Sequence, residues 1–400
     1  MGSIVVLGAS LSGTRTVQEL RRFGSTDRIL LIGEEPHLPY DRPPLSKGVL
    51  SGEVESSTLQ LADAAALADL DVELRLGVRA ERLDPAAKRL ELAGGESLEF
   101  ETLVIATGTK ARRLPTLPGE HEAQTLRTLE DSRRLRDRLA ATDSLAIIGG
   151  GLIGGEVAAT AATLGIPVTV IDPSARPFER ILGQQVGALL AQQHRDSGVR
   201  FVCGLPTELV RRADDMVSIR VDDGTVVEAG VVLLAVGAEP NVELLAGSGI
   251  DHSDGIACDR YGRCAPGVWA VGDVASWTRW ASGDVPPRRF EHWSNAVEQA
   301  RLVGWNILHE TDGPLRESDA IPYFWTDQYR SKIQIFGSPR PSDEFIEVAR
   351  ENDSLAGLYC RDGHVVAAVS MNAVRHVPAL RRHVADRTRA DAVVPSNDVA

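Results

Sequence analysis

One layout occurs twice in this chain. Ile4-Val5-Val6-Leu7-Gly8-Ala9-Ser10-Leu11-Ser12-Gly13 and Leu145-Ala146-Ile147-Ile148-Gly149-Gly150-Gly151-Leu152-Ile153-Gly154 each run a short β-branched stretch into a glycine-rich turn. Such a stretch reads as a buried parallel strand. Helical spacing follows in both copies, through Val17, Leu20 and Phe23 and through Val157, Ala161 and Leu164. A second apolar strand then closes each unit, Ile29–Ile32 and Val168–Ile171, and leads to an acid, Glu34 or Asp172. Two more runs correspond between the halves, Leu103-Val104-Ile105-Ala106-Thr107-Gly108 and Val231-Val232-Leu233-Leu234-Ala235-Val236-Gly237. Two βαβ units restrict the chain to an α/β fold with two Rossmann-like dinucleotide-binding domains, and 400 residues leave room for a third domain. From Ile321 the composition turns to aromatics and strands. Residues 321–400 carry ten acidic and ten basic side chains, so the whole net charge of −13 lies before them. Asp391 to Ala400 has no periodicity and reads as a frayed tail.

A dinucleotide carries two phosphates, and a helix N-terminus offers free N–H groups and a partial positive dipole to receive them. In the glycine fingerprint the first glycine allows the tight turn and the second lets backbone approach the pyrophosphate. The third lets the helix pack on the strand. Gly149, Gly151 and Gly154 fill all three positions. Gly8 and Gly13 fill the outer two, with Ser10 between them, small enough for the site and able to donate to a phosphate. Each loop precedes its acid, by 21 residues from Gly13 and 18 from Gly154. A carboxylate there accepts from an adenosine ribose and repels a 2′-phosphate. Asp172 therefore favours NADH over NADPH, although Arg176 could instead pair with that phosphate. Two nucleotide sites in one chain suggest a flavin held permanently and a nicotinamide that comes and goes. In Gly267-Val268-Trp269-Ala270-Val271-Gly272-Asp273 an apolar strand delivers an aspartate after a glycine, a placement suited to the ribityl and diphosphate end of FAD.

Taken in order, the first loop, Glu34, Asp41-Arg42-Pro43-Pro44-Leu45-Ser46-Lys47, Ala106-Thr107-Gly108, the second loop, Gly272-Asp273 and Phe324-Trp325-Thr326-Asp327-Gln328-Tyr329 resemble one family. It is that of the FAD-dependent ferredoxin reductases serving oxygenases, the putidaredoxin-reductase-like and rubredoxin-reductase-like enzymes. The resemblance covers about residues 3 to 375, and the Arg-Pro-Pro-Leu-Ser-Lys and Trp-Thr-Asp-Gln segments are its most specific parts. It implies a glutathione-reductase-like architecture: an FAD-binding domain from 1–111 and 241–320, an NAD-binding domain at 112–240 and a C-terminal α+β domain at 321–400. Gly8, Ser10, Ser12 and Gly13 are then expected at the FAD pyrophosphate, Glu34 at its ribose and Ala80 at its adenine side. Arg42, Thr107, Gly108, Arg127, Gly272 and Asp273 are expected to complete the flavin site, with Trp293 near the ring. Gly149, Gly151, Gly154, Asp172 and Gly237 are expected to hold NADH. By the same resemblance Lys47 lies by the isoalloxazine, and Glu156 pairs with it and meets the nicotinamide. These two are the candidate catalytic residues. The alternative is an ordinary surface ion pair, worth under ~1 kcal/mol.

Disulfide reductases on this scaffold place a cysteine pair soon after the first βαβ unit. Here Pro43, Pro44, Leu45 and Ser46 occupy that stretch, and no cysteine precedes Cys203. Electrons must therefore leave from the flavin edge. The resemblance implies hydride transfer from NADH to FAD, then single electrons to a small iron–sulfur ferredoxin that supplies an oxygenase such as a cytochrome P-450. An NADH oxidase or quinone reductase without a redox cysteine is a second reading, and an apoptosis-inducing-factor-like flavoprotein a third. Ferredoxin partners are usually acidic, so an acidic reductase needs a local basic patch to dock one. Arg288, Arg289, Arg330, Lys332 and Arg340 are candidates for it, scattered solvated arginines being the alternative. The charge of −13 sets nucleic acid against repulsion. Cys258 and Cys264 read as buried or incidental thiols, His292 reads as structural, and no cysteine–histidine cluster suggests a metal. The longest apolar stretches fall short of the ~20 residues of a membrane span. Met1-Gly-Ser leads into the first strand without a basic n-region. A soluble, cytoplasmic protein is the expectation, and no feature of the sequence sets an oligomeric state.

Overall fold

The computed structural model describes residues 2–278, 288–318 and 320–393, so the 394–400 end of the expected frayed tail lies outside the described residues. The chain forms two units. Unit 1 comprises Met1–Asp41, Ser57–Lys110 and Glu239–Pro322, and unit 2 comprises Arg42–Ser56, Ala111–Ala238 and Tyr323–Ala400.

In unit 1, β1 (Ser3–Leu7) passes through the first glycine loop into α1 (Leu11–Arg22) and on to β2 (Arg28–Gly33). β1 pairs in parallel with β2, Val5 opposite Leu30, and on its other side with Thr102–Ile105, Val5 opposite Leu103. The six-stranded sheet runs Arg263–Ala265, Val268–Ala270, Thr102–Ile105, β1, β2, Val72–Leu76. A strand covered on both faces has no side for water, which is why the central runs Ile4–Leu7, Ile29–Ile32 and Leu103–Ile105 are apolar at every position, whereas the edge strand Val72–Leu76 alternates with Glu73 and Arg75. Val6, Ile29, Leu31, Val104 and Trp269 are completely buried. An antiparallel meander of Ala80–Asp84, Arg89–Leu92 and Ser97–Glu99 lies between the third and fourth parallel strands in chain order.

Unit 2 repeats the plan. β3 (Leu145–Ile148) leads through the second loop into α2 (Leu152–Thr163) and β4 (Val168–Asp172). The all-parallel sheet runs Arg200–Cys203, β4, β3, Val231–Leu234, Gln124–Thr125. Its alternation divides the core in two. Leu145 and Ile147 pack with Val157, Ala158 and Leu139 on the helical side. Ala146 and Ile148 face Val217, Ile219 and Val227 of a second meander. The duplication thus extends to the meanders, which the motif comparison passes over because their short strands carry no glycine signature.

Two features depart from the sequence division. Arg42–Ser56, placed by sequence within 1–111, packs in unit 2, where completely buried Leu50 shares a core with Leu135, Leu139 and Leu145. Its buried apolar residues, Leu45, Val49 and Leu50, are too few to form a core of their own. The segment after Pro322 also does not close on itself. β5 (Tyr323–Gln328) opens a five-stranded antiparallel sheet whose apolar face needs a cover. α3 (Glu179–Asp196) supplies it, with Leu182, Val186 and Leu190 packed among Ile333, Ile335, Leu355 and Val369. No helix among the described residues is long and apolar enough to cross a membrane.

Candidate functional site

The two glycine loops have the same geometry, each within its own unit. Gly8 and Gly149 adopt φ of +119° and +110°. A Cβ on Gly8 would lie 2.1 Å from the carbonyl oxygen of Ala106, and one on Gly149 2.3 Å from that of Ala235. Gly13 and Gly154 press against the first glycine of their own loop, where a Cβ would come within 1.9 Å of the Gly8 oxygen and 2.2 Å of the Gly149 oxygen. The protein's own packing therefore demands these four glycines. The middle position differs. A Cβ at Gly151 would meet nothing within 4 Å, and neither would one at Gly237, whose φ is +105°. Space stands open above the start of α2, and no side chain caps its first turn. An arriving pyrophosphate needs both features. In the first loop Ser10 holds this position in an extended conformation, and its hydroxyl does not cap α1. Thr14 Oγ1, just beyond Gly13, is buried with no partner. Gly272 comes against this turn, its absent Cβ only 2.1 Å from Ser12 Oγ, which brings Asp273 to the start of α1. The residues fit a dinucleotide in each unit.

Other expected contacts fall around the unit 1 loop. Glu34 follows β2 and pairs with Arg79 at 3.3 Å, the neighbour of Ala80 in the meander. The Thr107 hydroxyl donates to the Asn241 carbonyl at 2.8 Å, the Asn241 amide donates back to the Thr107 carbonyl at 2.9 Å, and Asn241 N–H donates to Gly108. Asn241 carries no motif and was not singled out in the sequence. Trp293 opens the helix Trp293–Leu308, with His292 at the N-cap position but no capping bond from its side chain, and the Trp293 indole N–H donates to Asp41 Oδ1 at 2.9 Å.

In unit 2 the Asp172 carboxylate accepts from Gly150 N–H at 2.6 Å and Ser174 N–H at 2.8 Å, which fixes it beside the loop. Arg176 pairs with Glu179 at 3.6 Å, so its charge has a carboxylate partner. A cavity of about 300 Å³ opens by Asp172, lined also by Ser174, Arg195, Arg200, Phe201 and Cys203. The Arg42 guanidinium donates to the Arg127 carbonyl at 2.7 Å. Around Arg127 the backbone begins a helix: Thr128 Oγ1 accepts from Asp131 N–H, and Asp131 Oδ2 accepts from the N–H groups of Thr128 and Arg127. The Arg-Thr-Leu-Glu-Asp run is thus a capping box, a local reason for those residue types beside any contact with a cofactor.

Lys47 and Glu156 meet inside unit 2. Glu156 lies on α2 at 4 % exposure, and its Oε2 pairs with Lys47 Nζ at 2.7 Å. The Ser46 hydroxyl donates to the same oxygen at 2.5 Å, and the Thr326 hydroxyl donates to Oε1 at 2.7 Å. Burying a carboxylate is costly unless its lone pairs are filled, and three donors fill them here. This is no ordinary surface pair. The turn bearing Lys47 is held down by Ser132, whose hydroxyl donates to the Leu45 carbonyl, and by Thr160, whose hydroxyl donates to that of Ser46.

The expected docking cations are distributed over both units. Arg288 and Arg289 belong to unit 1, and Arg330, Lys332 and Arg340 to unit 2. Arg289 is largely committed internally, pairing with Asp254 at 3.2 Å and Glu291 at 2.6 Å and donating to the Asp273 carbonyl. Arg288, Arg330, Lys332 and Arg340 are exposed.

The profile of the pyridine nucleotide-disulphide oxidoreductases matches residues 2–300, and that of the reductase C-terminal domain residues 323–398. The chain is 35% identical over 416 residues to the ferredoxin–NAD(+) reductase component of the p-cumate 2,3-dioxygenase system of Pseudomonas putida, covering 100% of this chain and 99% of that protein. It is 32% identical over 390 residues to rhodocoxin reductase of Rhodococcus erythropolis, covering 96% and 89%. Among solved structures, a chain of the covalent putidaredoxin reductase–putidaredoxin complex aligns with a TM-score of 0.90 at 30% identity, over 97% of this chain and 94% of that one.

Proposed function

The chain belongs to the pyridine nucleotide-disulphide oxidoreductase family, and from that premise we propose that it is an NADH-dependent ferredoxin reductase, delivering single electrons to a small iron–sulfur ferredoxin that supplies an oxygenase such as a cytochrome P-450. FAD, when bound, supplies the change from two-electron to one-electron traffic. The observation that carries the reading is the pair of dinucleotide loops, alike in backbone geometry, in a chain with no cysteine before Cys203. Relatives that are reductase components of oxygenase systems support the same reading. The balance is one NADH and two oxidised ferredoxins giving NAD+, a proton and two reduced ferredoxins.

The roles we propose follow from the groups present. Gly8, Ser10, Ser12, Gly13, Glu34, Ala80, Thr107, Gly108, Gly272, Asp273 and Trp293 would hold FAD, assisted by Arg42 and Arg127. The open start of α2, with Gly149, Gly151, Gly154 and Gly237, receives the phosphates of NADH. Asp172, held by two backbone N–H groups, accepts from the ribose and turns away a 2′-phosphate. Lys47 supplies positive charge for the anion that develops on reduction, and Glu156 keeps Lys47 charged and placed. The functional division into 1–111 with 241–320, 112–240 and 321–400 is part of this reading, as is a cytoplasmic location, where NADH is supplied.

Anaerobic stopped-flow mixing of the FAD-loaded protein tests it. NADH should bleach the flavin faster than NADPH, and oxidised ferredoxin should restore the colour faster than oxygen does. Rapid reoxidation by oxygen with none by any ferredoxin would make the protein an oxidase instead.

A further inference from the structure

Behind Glu156, within unit 2, runs a line of buried polar groups that the proposed electron transfer does not itself need. The Thr326 hydroxyl donates to Glu156 Oε1, so its oxygen is left to accept, and Gln328 Nε2 donates to it at 3.1 Å. With the amide so oriented, Gln328 Oε1 faces His194 Nε2 at 2.7 Å. A carboxamide oxygen only accepts, so the proton of the neutral imidazole must sit on Nε2. His194 Nδ1 is then an acceptor, and the Tyr329 hydroxyl lies 3.0 Å from it. Every hydrogen points the same way, from Tyr329 through His194, Gln328 and Thr326 to the carboxylate. His194 and Thr326 are 0 % exposed and Gln328 1 %.

The packing makes room for this line. His194 stacks on Phe178 with ring centres 5.2 Å apart and meets Phe201 edge-on. A Cβ at Gly155, the residue before Glu156, would lie 2.7 Å from Gln328 Oε1 and from the Phe178 ring, so glycine is what admits the amide. An apolar filling would avoid the desolvation of five polar groups; a fully satisfied chain instead specifies one arrangement.

We propose that His194, acting through Gln328 and Thr326, is a positioning residue that fixes the proton state and orientation of Glu156 toward Lys47. This rests on the reading that Lys47 and Glu156 serve flavin reduction. Among the described residues, the group facing Glu156 that carries charge is Lys47, with Ser46 and Thr326 neutral, and the titratable group facing His194 is Tyr329, with Gln328, Phe178 and Phe201 neutral. Burial pushes the His194 pKa down to about 4, so the imidazole stays neutral at working pH.

Two measurements on the FAD-loaded protein decide it. Nitrogen NMR of labelled histidine should show His194 as the neutral Nε2–H tautomer from pH 8 to about pH 5. In Gln328→Glu, which gives the ring an anionic partner, its titration should move up by about one pH unit or more. The second is the pH profile of flavin reduction by NADH. Thr326→Val removes one donor to Glu156 while keeping the side chain's shape, so its acid limb should move up by about one unit with NADH affinity held within about twofold. Thr326→Ser should restore the original profile. An Nδ1–H tautomer, or a Thr326→Val profile that overlays the wild type, overturns the proposal. If wild-type protein is not reduced by NADH at all, the functional reading falls, while the tautomer still decides whether the line exists.

Discussion

At Gly151 a Cβ would meet nothing within 4 Å, whereas at Gly154 it would overlap the Gly149 carbonyl at 2.2 Å. The same fingerprint therefore mixes a glycine held open for a ligand with a glycine imposed by the fold. Gly151→Ala should melt at the wild-type temperature yet raise the NADH dissociation constant about tenfold or more, ~1.4 kcal/mol of lost phosphate contact. Gly154→Ala should lower stability by several kcal/mol, on the scale of backbone overpacking. Calorimetry beside NADH titration separates the two, and equal destabilisation would mean that the Gly151 space is not a phosphate site. The residues of the loops were legible in the sequence because a left-handed turn and a close helix–strand approach admit so few side chains. Glu156 and Lys47 were legible only through resemblance, their burial being a property of the packed unit. Thr326, Gln328 and His194 could not be joined from sequence, since 170 positions separate Thr326 from Glu156 and 134 separate Gln328 from His194. The available signals were weak ones. Thr326 and Gln328 alternate onto one face of β5, and His194 falls four residues after Leu190 on the apolar face of α3, where a core histidine is the ordinary explanation.

Among the elements, the short ones were the hardest to place. The strand runs and helix repeats of the two βαβ units announce their partners by apolar periodicity, but Gly48–Ser51 is a single turn with no period to detect. Its apolar anchor in unit 2 is Leu50, set among Leu135, Leu139 and Leu145, beside the Ser132 and Thr160 hydrogen bonds that hold the preceding turn. Leu50→Ala should cost ~2–5 kcal/mol in urea unfolding, and it should loosen the Lys47 turn before the rest of the sheet. Hydrogen exchange that accelerates uniformly over the unit, with no lead at residues 45–50, would contradict that anchoring. α3 carries a different liability. Folded, its His194 stays neutral down to about pH 4, but in the unfolded chain it binds a proton near 6.5. Between those values the unfolded state holds the extra proton, so stability falls as pH falls through that window, and this group contributes no slope above it. At pH 5 the deficit is ~2 kcal/mol. His194→Gln keeps a donor at the Nε2 position and has no such titration, so the loss of stability between pH 7 and pH 5 should be smaller in the variant by about that amount.

On the scale of the whole molecule, the duplicated plan explains why the family's name does not describe this member's chemistry. Paired βαβ units and a reductase C-terminal domain are the frame, and the thiol pair of the disulphide reductases is a separable addition to it. Here the four cysteines stand elsewhere: Cys203 is exposed, Cys264 half-buried, and Cys258 and Cys360 buried. Burial pushes the Cys258 thiol up, aided by the neighbouring Cys264, and burial likewise raises Cys360, so neither offers the thiolate that exchange requires. The stretch where the disulphide reductases carry their thiol pair thus holds none here, and the two buried cysteines are held in the thiol form. Replacing all four at once, with Cys203→Ser, Cys264→Ser, Cys258→Ala and Cys360→Ala, should leave NADH-driven ferredoxin reduction within about twofold of wild type once the protein is loaded with FAD. Trimming the two buried thiols should show instead as a stability loss of about 1 kcal/mol each. A fall in turnover of more than about tenfold, in a variant that still binds FAD and NADH, would place a cysteine in the electron path.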